Sequence, residues 1–256
     1  MTTPTVVPLT EREPELLGQT VVVIGGSSGI GLETARRARA EGANVILTGR
    51  DPGRLQHAAS ELGALSSAAF DAVDPASLER FFRQLPKPID HVMVTAGRPH
   101  YGRLADMDYA QTRQALDEHL MLTLEVARHT AGKMRPRGTL LFMGGTGGRR
   151  PGLGLAIMST VTVAMPALIA NLALELAPIR VNLIAAGFVD TPLSASLLGD
   201  ELDKRRNELR ATLPIGRIVG PADVAALAVH IMTNTALTGA TYHRGRPGRS
   251  YRHGGR

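Results

Sequence analysis

One heptapeptide restricts the fold of this chain more than anything else in it: Gly25-Gly26-Ser27-Ser28-Gly29-Ile30-Gly31. It follows the apolar run Val21–Ile24 and precedes a stretch with helical spacing, Leu32–Ala40. Glycines at such a junction permit a tight turn, let backbone approach a pyrophosphate, and let the helix pack closely on the strand. The helix N-terminus then presents free N–H groups and a partial positive charge to phosphate oxygens. A glycine-rich turn alone is a weak signal. Here a strand precedes it, a helix follows, and a second strand arrives on schedule, which points to dinucleotide binding.

The same rhythm continues along the chain. Short β-branched or continuously apolar runs recur at Val21–Ile24, Asn44–Leu47, His91–Thr95, Thr139–Met143 and Arg180–Ala185. Continuous rather than alternating apolar character suits strands buried on both faces of a parallel sheet. Helical spacing fills the intervals at Leu32–Ala40, Arg54–Leu62, Ala76–Leu85, Ala110–Lys133 and Ile157–Ala177. The pattern predicts an α/β fold, a doubly wound parallel sheet of Rossmann type in a single domain. Residues 1–17, with Pro4, Pro8 and Pro14, read as a loose lead-in; residues 18–242 as the dinucleotide-binding body; residues 243–256 as a basic irregular tail. Pro192–Pro214 is polar with a helical charge pattern and reads as a mobile flap over a site. Pro166, inside Ile157–Ala177, is expected to kink that helix or leave one carbonyl unpaired.

Charge narrows the partners. The formal net charge is +6, but Arg244, Arg246, Arg249, Arg252 and Arg256 carry five of those charges. The body is near neutral and has three scattered lysines, Lys87, Lys133 and Lys204. Nucleic-acid binding needs basic residues clustered on a folded surface, so the body is not expected to bind nucleic acid. The absence of cysteine rules out disulfides, thiolate zinc sites and a cysteine nucleophile, and no metal site is expected. The apolar stretches read as far shorter than the roughly 18 residues of a membrane span. The N-terminus carries prolines and acids where a signal peptide needs a basic start, so the cytoplasm is the expected compartment.

The spacing of the glycines, Gly25, Gly29 and Gly31, resembles the short-chain dehydrogenase/reductase family, and the resemblance recurs from about Gly18 to Tyr242. Thr95-Ala96-Gly97 resembles that family's Asn-Asn-Ala-Gly with the first positions changed. Glu175-Leu176-Ala177-Pro178 with Arg180-Val181-Asn182 matches its run between the fifth long helix and sixth strand. Ala186-Gly187-Phe188-Val189-Asp190-Thr191-Pro192 is similar to its Pro-Gly-x-x-x-Thr.

The resemblance implies cofactor contacts at Gly25, Ser27, Ser28, Gly29, Ile30 and Gly31. It also implies Asp71 and Ala72 beside the adenine, Thr95, Ala96 and Gly97 at the ribose and phosphates, and Gly187, Val189 and Thr191 near the nicotinamide. At the end of the second strand an acid would bond a ribose 2′-hydroxyl and favour NAD(H). This chain has Arg50 there, and a guanidinium pairs with a 2′-phosphate, so NADP(H) is expected over NAD(H), unless Asp51 neutralises the arginine.

Carbonyl reduction by hydride leaves an alkoxide that needs a proton donor within reach. The family supplies a tyrosine, a lysine four residues later on the same helix face, a serine and an asparagine. Laid on this sequence, the tyrosine position falls on Met158, the lysine on Thr162, the serine on Gly145 and the asparagine on His119. The resemblance therefore implies an atypical member lacking all four. His119 and Tyr101 are the substitute donors to consider, with His100 beside the latter; Tyr109 with Arg113 lies on the wrong segment, and Thr146 and Ser159 lack a base.

Two functions stay open: an NADP(H)-dependent oxidoreductase acting on an unknown carbonyl or alcohol, and a catalytically inactive cofactor-binding protein serving as redox sensor, partner subunit or small-ligand binder. The nearly charge-free Leu153–Ala177 favours a homodimer or homotetramer. After Tyr242 the resemblance stops, as it would either after a shift of reading frame or in a native basic tail that attracts phosphates or acidic partners.

Overall fold

The computed structural model describes residues 13–149 and 152–244. Seven strands form one parallel sheet: β1 (Thr20–Ile24), β2 (Asn44–Gly49), β3 (Ser66–Ala69), β4 (Ile89–Val94), β5 (Met134–Gly145), β6 (Arg180–Ala186) and β7 (Thr241–Arg244). Their order is β3-β2-β1-β4-β5-β6-β7. The order reverses between β1 and β4, and ligands of open α/β sheets bind at such a switch point, outside the carboxyl ends of the strands.

Period-two geometry sends successive β1 side chains to opposite faces. Val22 and Ile24 join one buried layer with Leu78 and Phe82 of α3 (Pro75–Gln84), Val126 of α5 (Leu122–Thr130) and Met165 and Ile169 of α6 (Ala156–Glu175). Val21 and Val23 join the other with Ala35 and Ala38 of α1 (Gly29–Ala40), Leu55 of α2 (Pro52–Leu62) and Ala228 and Ile231 of α9 (Pro221–Thr233). Two packed faces on one sheet make the doubly wound α/β class read from the sequence.

Several details differ from that reading. The helix expected over Ala110–Lys133 is divided into α4 (Tyr109–Leu116), one π-helical turn (Asp117–Met121) and α5. Helix α6 runs unbroken through Pro166 for 20 residues, so the proline is absorbed without ending the helix. Lacking an N–H, Pro166 leaves the Thr162 carbonyl without its usual helical donor.

The same helix corrects the estimate of apolar length. By length and composition alone α6 could cross a membrane, with a mean hydropathy of 1.8. Ser159, Thr160, Thr162 and Asn171 interrupt its apolar residues, yet none brings a charge. Met158, Val161, Met165, Ile169 and Leu172 seal the sheet, while Val163 and Leu174 face outward.

At the N-terminal end the lead-in is anchored: Leu16 is fully buried, and its N–H donates to the Glu41 carbonyl at 3.0 Å. The last strand includes His243 and Arg244, paired with Ala185 and Ala186, so the sheet extends two residues into the segment read as tail. The remaining arginines of that tail, and the question of its reading frame, lie outside the described residues.

The segment read as a flap forms α7 (Pro192–Leu198) and α8 (Leu202–Thr212). It is tied down by Arg206, whose Nη2 donates to Asp190 Oδ1 at 2.8 Å, and by buried Leu209 and Leu213.

Candidate functional site

The turn after β1 is built by contact rather than by local preference. Gly25 has φ +92°, and its N–H and that of Gly26 both donate to the Thr48 carbonyl on β2. A Cβ at Gly31 would stand 2.3 Å from the Gly25 carbonyl oxygen and 2.6 Å from Thr95 Oγ1, so only glycine fits. Thr95, at the end of β4, donates its hydroxyl toward the Ile24 and Gly25 carbonyls at 3.2 and 3.0 Å. This side chain stitches the two sides of the switch point together.

Above the turn, α1 begins at Gly29 with no side-chain cap from Ser28. Its first N–H groups therefore lack an intrahelical or capping acceptor, and the turn is a cradle for an anion. The residues present fit the pyrophosphate of a dinucleotide.

At the end of β2 the neighbouring charges separate. Asp51 is the N-cap of α2: Oδ1 accepts the Arg54 N–H at 2.8 Å, and Arg54 Nε lies 3.4 Å from Oδ2. The cap contacts hold the Asp51 carboxyl below the usual carboxylate range, the Arg54 N–H being the largest cause. Arg50 is exposed and makes no ion pair among the described residues. After β3, Asp71 accepts the Val73 N–H at 3.2 Å and Ala72 is buried. On the loop after β6, Gly187 is half-buried and Val189 buried, and Thr191 caps α7 by accepting the Ser194 N–H. Thr191 also approaches Gly29, its Cβ being 3.6 Å from where a glycine side chain would begin. The fold thus gathers the three segments at the carboxyl ends of β1, β4 and β6.

The four positions on which the sequence resemblance lays the family's catalytic residues behave differently. Met158 is buried in the core against the sheet. Thr162 donates to the Ser159 carbonyl at 3.0 Å, and its Cγ2 stands 2.9 Å from where a Gly145 side chain would begin. His119 lies in the π-helical turn, its Nδ1 donating to the Ala115 carbonyl at 2.8 Å. The Ser159 hydroxyl is buried and has no hydrogen-bond partner among the described residues.

Beside the cradle is a polar cleft of about 540 Å³, lined by Arg98, Pro99, His100, Tyr101, Gln111, Gln114, Ala115, Glu118 and Leu197. Its outer loop is latched by the Gly102 N–H to the Gly154 carbonyl at 3.0 Å. His100 and Tyr101 line this cleft, whereas His119 does not. Glu118 also lines the cleft, and the sequence reading did not single it out. A π-helical turn fits an extra residue into the helix and shifts which side chains face inward, so 3.6-residue counting cannot place it.

A parallel sheet with a glycine cradle at its switch point and an adjoining polar cleft is the arrangement of a Rossmann-type nucleotide-binding domain. The chain belongs to the short-chain dehydrogenase/reductase family. Residues 24–244 match the family model described as enoyl-(acyl carrier protein) reductase. The chain is 30% identical over 249 residues to the short-chain dehydrogenase/reductase ATR9 of Stachybotrys chlorohalonatus, covering 88% of this chain and 95% of that one. Among solved structures it resembles the MalC reductase/Diels-Alderase of Malbranchea aurantiaca, with TM-score 0.84, 25% identity, and 90% and 96% of the two chains covered. It also resembles actinorhodin polyketide ketoreductase with NADPH, with TM-score 0.81, 25% identity, and 88% and 95% covered.

Proposed function

We propose that this oxidoreductase uses NADP(H), acts on a carbonyl or alcohol of a small molecule, and does so without its family's usual proton-donating residues. The observation that carries the cofactor choice is the division of labour between Arg50 and Asp51. Asp51 is committed to the cap of α2, which leaves the Arg50 guanidinium unpaired for a 2′-phosphate. The similar ketoreductase with NADPH supports the same choice.

In this reading the N-terminus of α1, with Gly25, Ser27, Ser28, Gly29, Ile30 and Gly31, holds the pyrophosphate. Asp71 and Ala72 border the adenine. Thr95, Ala96 and Gly97 position the ribose, and Gly187, Val189 and Thr191 border the nicotinamide. When bound, the cofactor gives or takes the hydride at the substrate carbon.

The tetrad is degenerate in this reading, with His119, Gly145, Met158 and Thr162 in its four places. Methionine donates no proton, threonine carries no charge, and glycine has no side chain. Burial of Met158 favours a second reading, a cofactor-binding protein without hydride chemistry. Stopped-flow measurement of NADPH oxidation against a broad carbonyl panel separates them. Turnover supports the enzyme; tight NADPH binding with no turnover supports the binder.

We also propose a homodimer or homotetramer formed through the outward face of α6. Val163 and Leu174 are 61% and 79% exposed there, and a charge-free face of that length is rarely left to water. Sedimentation of the full chain tests it, and a monomer at micromolar concentration overturns it.

A further inference from the structure

We propose that Glu118 is the catalytic proton-transfer group of the polar cleft, taking the proton of a substrate hydroxyl or returning it to a carbonyl oxygen. The assignment rests on the oxidoreductase reading above.

Glu118 is buried, only 8% exposed, yet lines the cleft. Its Oε2 accepts the Arg98 N–H at 2.6 Å and its Oε1 accepts from Gln114 Nε2 at 2.9 Å. Each oxygen keeps a second acceptor site for a ligand. Among the described residues no ion pair engages this carboxylate. A buried acid without a counter-cation is costly as a purely structural device.

The backbone of residue 118 packs against the loop that follows β4. The Glu118 carbonyl oxygen is 3.0 Å from where a Gly97 side chain would begin, and Gly97 follows the Thr95 that closes on Gly25. Leu197, which also lines the cleft, belongs to α7, whose N-cap Thr191 adjoins Gly29. A ligand in this cleft therefore has the cradle on one side and the carboxylate on another. Arg98, His100, Tyr101 and Gln111 supply further polar contacts, which suits a hydroxylated small molecule better than a long acyl chain.

The step is a proton transfer. In the oxidative direction the substrate O–H bond breaks as an O–H bond forms on the Glu118 carboxylate, and the proton then leaves through the open cleft. In the reductive direction the carboxylic acid protonates the alkoxide and regains its charge. The hydride and its electron pair belong to the cofactor of the preceding reading.

The probe is para-nitrophenol, whose neutral and anionic forms absorb at separate wavelengths. Wild-type protein is expected to bind the neutral phenol as a donor to Glu118, lowering the anion absorbance at the phenol's midpoint pH. Glu118→Gln should reduce the ratio of neutral to anionic bound dye by about tenfold, the scale of a hydrogen bond to a charged group. Glu118→Asp, which keeps the carboxylate, should restore part of that bias and serves if the glutamine variant does not fold. An equal ratio in wild type and Glu118→Gln, or no dye binding at millimolar concentration, overturns the assignment. NADPH fluorescence titration of the same samples separates the failures. Loss of NADPH binding by wild type overturns the cofactor reading, whereas NADPH binding with a dye response indifferent to residue 118 overturns Glu118 alone.

Discussion

Thr162 occupies the space that a side chain at Gly145 would need: a Cβ there would stand 2.9 Å from Thr162 Cγ2. These are the positions on which the sequence resemblance lays the family's serine and lysine, and side chains introduced there would compete for one space. Gly145→Ser alone should lower stability by about 1–3 kcal/mol through overpacking against a β-branched side chain. Adding Thr162→Ala should recover at least half. A double-mutant cycle in urea measures the coupling, and strictly additive effects would count against this geometry.

Arg50→Ala should weaken NADPH binding by about tenfold or more and leave NADH binding nearly unchanged, because a charge-assisted contact of about 1.5–3 kcal/mol is lost only with the phosphate. Asp51→Ala should instead lower the melting temperature, as α2 loses its cap, and leave the preference between the two cofactors unchanged. Fluorescence titration with both cofactors and thermal melts of both variants distinguish the roles.

Arg180 is a buried cation held by carbonyls. Its guanidinium donates to Arg137, Ile231, Met232, Asn234 and Leu237, and to the Thr139 hydroxyl. Several of these are the last carbonyls of α9, where the helix dipole favours positive charge. Arg180→Met should cost about 3–5 kcal/mol, since the charge that satisfies those carbonyls is removed. Arg180→Lys should recover only part, having three donors rather than a five-donor fork. Denaturant midpoints of the two variants check the order.

How much of this was legible in sequence follows from what each element buries. The strands from Val21, Asn44, His91, Thr139 and Arg180 are continuously apolar because helices cover both faces. Strand β3 was not, since Ser66–Ala69 lies at the sheet edge and is largely exposed. The glycine turn was readable because Gly31 has no room for a side chain. The Asp51 cap could have been read from Asp51-Pro52, an acid followed by proline at the first helical position. Glu118 could not, because its inward direction depends on a π-helical turn. The arginine-rich tail drew attention through charge, yet the proposed cofactor choice and proton transfer turn on a single exposed arginine, Arg50, and a buried acid, Glu118.

His91 should make stability depend on pH. It is 3% exposed, its Nε2 donates to Gln19 Oε1 at 2.8 Å, and its Nδ1 has no partner among the described residues. Desolvation, helped by the Arg180 charge and opposed by Asp90, pushes the imidazole down to about 4. The unfolded chain has the ordinary value near 6.5, so below that pH it binds a proton that the folded chain refuses. Stability from this group is therefore full above about pH 6.5 and falls as the pH drops toward 4, by about 3 kcal/mol in all. His91→Gln keeps a donor for Gln19 and removes the titration, so its stability should vary less over that window. Urea midpoints of wild type and variant between those two pH values provide the measurement, and parallel pH curves would exclude His91 as the source.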